Sequence, residues 1–161
     1  MTDPRLSAVL AECAFHAQVI EDSLAETAAW PPFDADRVGK LSQGDRRLLD
    51  QLAYRFGKLQ DTLGERVLPM LLDLAEEPLP ESATFAEKLQ RLERLRAIDS
   101  AAEWKLLREL RNQIAHEYPD APDLRAAALN RFQAGIPVLL NCWRRVLQFI
   151  ERTAPDCLRN A

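Results

Sequence analysis

Apolar residues along this chain step by three and four positions, and no stretch alternates polar with apolar, so the pattern predicts helices and no strand. Leu6, Leu10, Cys13, Ala17, Ile20 and Leu24 keep a helical step that ends before Trp30-Pro31-Pro32, and the segment through Gly39 reads as a loop. A second helix, capped by Ser42 or Asp45, carries Leu49, Leu52, Phe56, Leu59, Leu63, Val67, Met70 and Leu74. Gly64 and Pro69 lie inside that line and predict a kink or break. Pro78 and Pro80 mark a linker over 76–82. Thr84 with Glu87 forms a capping box ahead of Phe85, Leu89, Leu92 and Leu95, and Ser100 with Glu103 forms another ahead of Trp104 and Leu107. After Pro119, Asp120 is placed to cap a long last helix running from Leu124 to Ile150, bent at Pro137. The expected fold is therefore all-α: a mostly antiparallel bundle of four long helices plus a shorter one. It forms a single domain over 1–153, followed by a flexible C-terminal tail over 154–161.

Composition narrows the classes. A chain of 161 residues suits one domain, and 47% hydrophobic with 29% charged residues is ordinary for a globular protein. Cys13, Cys142 and Cys157 are an odd set without paired spacing, as expected of buried thiols in a reducing compartment. No signal peptide is visible, and the most apolar stretch, Ile136 to Ile150, is interrupted by Arg144 and Arg145. A cytoplasmic location without membrane contact is expected. The net charge of −4 means that any nucleic-acid contact must be local. Lys88, Arg91, Arg94 and Arg96 are interleaved with glutamates and read as a solvated, ion-paired face.

The two histidines, His16 and His116, belong to no cluster with metal-ligand spacing, so no metal and no cofactor is expected. His16 reads as a surface or packing residue. Phosphate loops and nucleophile elbows are absent. The segment that a helical core does not explain is Arg108 to Pro119. At about 100° per residue, Arg111 falls on the apolar stripe of Trp104, Leu107, Ile114 and Tyr118, where a guanidinium needs a partner. The helix is expected to run up to Pro119. Arg111 and His116 lie about 140° apart on such a helix, so they converge either at a cleft on the helix edge or across a two-fold interface. Arg111 can hold a phosphate, His116 can move a proton near neutrality, and Asn112 can orient either group. The competing account pairs Arg111 with a core carboxylate, lets His116 cap carbonyls at its own helix end and leaves Tyr118 as a packing residue.

Arg111-Asn112 followed by His116 resembles the HEPN signature of arginine, a polar residue, a short gap and histidine. The four-residue gap and the added Tyr118 resemble the HepT subgroup, and chain length and helix order extend the resemblance over most of residues 1–153. The resemblance implies a HEPN-like fold and a homodimer whose shared cleft uses Arg111, Asn112 and His116 for metal-independent RNA cleavage. The 2′-hydroxyl would be the nucleophile, leaving a 2′,3′-cyclic phosphate. It implies a toxin–antitoxin module in which a minimal nucleotidyltransferase neutralises this ribonuclease toxin by transferring AMP to Tyr118. As the alternative it admits a non-catalytic helical subunit that presents substrate to such a nucleotidyltransferase, a role that the acidic net charge favours. A purely structural adaptor makes the motif a coincidence.

Overall fold

Asp3 opens the first helix, α1 (Pro4–Thr27), by accepting from the Arg5 amide, and Pro4 takes a position whose amide needs no partner. The computed structural model describes residues 3–116 and 118–159, and no strand occurs among them. A short helix, α2 (Ala35–Gly39), interrupts the expected loop. Ser42 caps α3 (Gln43–Thr62) by accepting from the Asp45 amide. The expected break then takes a definite form: a π-helical turn over Leu63–Val67 leads directly into α4 (Leu68–Leu74). Pro69 lacks the amide that would bond to Glu65, and its ring crowds that carbonyl, so the wider turn accommodates it.

The complete capping box expected at Thr84 is present. Glu87 donates its amide to the Thr84 hydroxyl, and the Thr84 amide donates to the Glu87 carboxylate at 2.6 Å, opening α5 (Phe85–Arg94). Only the hydroxyl half of the second box forms, where Ser100 accepts from the Glu103 amide at the start of α6 (Ala101–Ile114). Asp120 does not cap the last helix. Ala121 stands at that position without a side-chain bond, and Pro122 begins α7 (Pro122–Thr153), which contains Pro137. The tail boundary also shifts. A 3-10 turn at Pro155–Cys157 returns the chain to the core, where Cys157 is buried and its carbonyl accepts from Ser7.

The main core joins Leu6, Leu10 and Ile20 of α1 to Leu52, Phe56 and Leu59 of α3, Trp104 of α6 and Phe132, Ile136 and Ile150 of α7. A smaller cluster of Phe33, Val38, Leu41, Leu49, Ala126 and Leu129 packs under the α1–α3 connection. Asn130 fastens that connection, donating to the Phe33 carbonyl and accepting from the Phe33 amide. All three cysteines are free and buried, and burial pushes the Cys13 and Cys142 thiols up to about 12.

α6 runs antiparallel against α3 at close range. A Cβ built on Gly64 would sit 2.9 Å from Trp104, and one on Gly57 would sit 3.3 Å from the Arg111 Nε. Gly64→Ala is therefore expected to destabilise the fold by about 1–3 kcal/mol, because the buried indole has to shift. Urea denaturation checks this, and a variant as stable as the parent would show that the seam is looser than described.

Candidate functional site

Trp104 and Leu107 bury the inner face of α6, while Arg111 and Asn112 reach its exposed side in the last turn. Arg111 lies over Gly57, where no side chain obstructs its stem, and its head meets Asp61 of α3. The guanidinium donates from both terminal nitrogens to the two carboxylate oxygens, the longer bond measuring 2.8 Å. This bidentate pair explains how an arginine occupies an otherwise apolar stripe. Its side chain is 44% exposed and that of Asp61 34%, so the pair sits at the surface and is worth little to stability.

The helix ends earlier than expected. Ala115 caps α6, and the bond from the His116 amide to the Gln113 carbonyl tightens the last turn. His116 and Tyr118 lie beyond the helix, so the spacing argument that put Tyr118 on the Arg111 side does not hold. Tyr118 has a φ of 46°, in the left-handed region, and opens a turn that the Ala121 amide closes on its carbonyl, with Pro119 at the second position. The His116 and Tyr118 rings are tilted at 60° with centroids 5.9 Å apart. His116 is exposed and Tyr118 half-buried.

The motif is divided between two clefts. Arg111 and Asn112 line one of about 400 Å³, together with Asp61 and Arg108. His116 and Tyr118 line another of about 480 Å³, together with Arg46, Asp50 and Arg125. A single chain thus brings Arg111 to Asn112 and His116 to Tyr118, but not the four residues into one cleft. Sequence reasoning missed Asp61, Arg46 and Arg125. The last two come from the starts of α3 and α7, far apart in the chain, and no spacing signals them. Asp61 comes from α3, fifty residues before Arg111, and reaches it only through the tertiary fold.

The remaining histidine is structural. His16 is buried on α1, and its Nδ1 lies 3.0 Å from an Arg55 terminal nitrogen, which requires a neutral ring accepting that bond. Burial and the Arg55 charge hold its pKa below the ordinary value. Among the described residues no group of histidine, cysteine and carboxylate side chains could hold a metal ion, and no helix is long and apolar enough to cross a membrane. Of the basic face on α5, Arg91 pairs with Glu77 at 2.7 Å, whereas Lys88 lines the first cleft.

Comparison with protein-family models, with curated proteins and with solved structures finds no match. Asp61→Ala, which releases Arg111, is expected to cost about 0.5–1 kcal/mol of stability, the scale of a part-exposed pair. A loss above about 3 kcal/mol in thermal denaturation would instead make the pair part of the structural core.

Proposed function

We propose that this chain is a HepT-like, metal-independent ribonuclease toxin that acts as a homodimer and is neutralised by a minimal nucleotidyltransferase. One observation carries the reading: Arg111, Asn112 and His116 are all exposed at the end of a helix whose inner face is core. Residues placed for packing would face the other way. RNA supplies its own nucleophile, the 2′-hydroxyl, so the protein needs a proton-transfer group and a cation. His116 takes the hydroxyl proton as the 2′-oxygen bonds to phosphorus, the bond from phosphorus to the 5′-oxygen breaks, the leaving 5′-oxygen takes a proton from water, and a guanidinium offsets charge building on the phosphate oxygens. Because Arg111 lines a different cleft, it reaches the His116 phosphate from a second copy of the chain. Asn112 travels with it. Within one chain, Arg46 and Arg125 line the same cleft as His116 and are the cations that would hold the neighbouring phosphates. AMP on Tyr118 would fill the His116 cleft with bulk and negative charge and repel RNA.

The second reading is a non-catalytic subunit that presents substrate to the nucleotidyltransferase. The Arg111–Asp61 pair favours it, since that guanidinium already has a carboxylate partner.

Induced expression without the partner separates the two. The toxin reading expects growth arrest with RNA loss for the parent, and neither for His116→Ala, whose cleavage rate should fall about 10²–10⁴-fold. Arg111→Ala should fall comparably while the fold is retained, and chelator should change nothing. A harmless parent sinks the toxin reading; cleavage that survives in Arg111→Ala sinks the shared site.

Regulation gives an independent check. Co-expression with the nucleotidyltransferase should raise the intact mass by AMP, and Tyr118→Phe should abolish the shift and keep more toxicity. A silenced toxin with unmodified Tyr118 would mean neutralisation by occlusion. Sedimentation of the purified chain should show a dimer, and a monomer at micromolar concentration would remove the composite cleft.

A further inference from the structure

The floor of the first cleft is chemically unusual. Gln60 is 3% exposed and lines the cleft, yet neither its amide oxygen nor its amide nitrogen has a hydrogen-bond partner. The Trp104 indole N–H, on a residue 2% exposed, is also unpartnered and lines the same cleft. Buried polar atoms are nearly always paired, and an orphan costs stability. Three such atoms, on two residues that line one cleft, are polar groups that a bound ligand could satisfy.

The surroundings say what kind of ligand fits. A primary amide sets a donor beside an acceptor in one plane, which matches a planar ligand edge carrying the complementary pair. Phe85 and Pro69 line the same space and supply flat apolar surface. Lys88 and Arg108 also line the cleft, and neither makes an ion pair among the described residues. The Arg108 guanidinium is held over the Phe85 ring, 5.4 Å from its centroid. Asp61 is already neutralised by Arg111, which leaves exposed Glu65 as the one uncompensated carboxylate against two cations. The π-helical turn that contributes Gly64 and Glu65 is a form of helix often found at functional sites. The volume of about 400 Å³ lies in the usual range for small-ligand pockets.

We infer that this cleft binds one nucleotide unit. Its base enters against Phe85, the Gln60 amide reads the base edge with help from the Trp104 N–H, and the phosphate sits between Lys88 and Arg108. The unit is either a free mononucleotide or one residue of a single RNA strand; the chemistry of recognition is the same. Binding here does not depend on cleavage. If the source is RNA, the cleft is a base-reading subsite beside Arg111.

The experiment is a titration of the isotope-labelled full chain with AMP, GMP, CMP and UMP, followed through the assigned Gln60 side-chain amide and Trp104 indole signals. At least one nucleotide should shift both signals saturably, and ribose 5-phosphate should bind about 10-fold more weakly for lack of the base contacts. A 2′-O-methylated oligonucleotide, which offers no nucleophile, forms the second arm. Tighter binding than any mononucleotide assigns the site to a strand, and no gain assigns it to a free nucleotide. Gln60→Leu should raise the melting temperature, because it removes two orphan polar atoms, while weakening binding about 10-fold or more. Phe85→Leu, at a half-buried wall position, should weaken it as well and serves if Gln60→Leu does not fold. Absence of saturable shifts in both arms, equal response to ribose 5-phosphate, or unchanged binding by both variants overturns the inference.

Discussion

The close approach of α6 to α3 is the constraint on which the rest depends. Gly57 lies on α3 and Gly64 seven residues later in the π-helical turn that continues it, and Arg111 and Trp104 are seven apart on α6. Seven residues is nearly two helical turns, so each pair lies on one line, and the lines face each other in opposite directions. Trp104 takes the space over Gly64 and Arg111 the space over Gly57. Asp61 stands between the two glycines and meets the guanidinium where it emerges. The end of α6 that carries Arg111 is thus positioned by a packing relation that runs deep into the core.

The energetic order supports that direction of cause. Burying a large apolar side chain is worth about 1.5–3 kcal/mol, whereas a part-exposed ion pair is worth about 0–1 kcal/mol. The seam holds Arg111 in place, and Asp61 only sets the orientation of its head. The same seam leaves the Gln60 amide and the Trp104 N–H without partners at the bottom of an open cleft. A sequence selected for stability alone has a simple remedy at position 60, an apolar residue. Glutamine there instead leaves two buried polar atoms without partners on a residue that lines the cleft.

Much of the helical content was legible because amphipathic periodicity is local. The steps through α1, α3, α5 and α7 bury most of the residues that the pattern selected, among them Leu10, Leu52, Leu92 and Ile136, but leave Leu124 exposed and Leu24, Phe85 and Leu95 half-buried. The Thr84 cap was also legible, since its partner Glu87 is three residues away. Less legible was whatever required two elements at once. Asp120 looked like a cap, but Pro122 begins α7 with no side-chain help. Residues 155–157 looked like a tail because their partner, Ser7, lies at the other end of the chain. The candidate site divides in the same way. Arg111, Asn112, His116 and Tyr118 announced themselves by type and spacing, while Asp61, Gln60, Arg46 and Arg125 reach them only through the tertiary fold.

The end of α6 shows why spacing misled at the one point where it mattered most. Proline disfavours the right-handed helical conformation at the residue before it, which was read as a stop at Tyr118. The chain leaves the helix at Ile114 instead, and Tyr118 adopts a left-handed φ that costs a side-chain-bearing residue about 1–2 kcal/mol. The other left-handed positions, Glu76 and Arg96, each follow a helix end, where a bond from the next amide back to the last turn rewards the conformation. Tyr118 stands four residues beyond the end of α6, and its local return is the turn closed by Ala121. That geometry turns the chain after His116 and sends it into α7. Arg111 is therefore oriented by a helix and His116 by a turn, which is why they open onto different clefts. A motif written as arginine, four residues and histidine does not describe one helical face here. It describes two surfaces, Arg111 on the helix and His116 beyond its end, that line separate clefts of the chain.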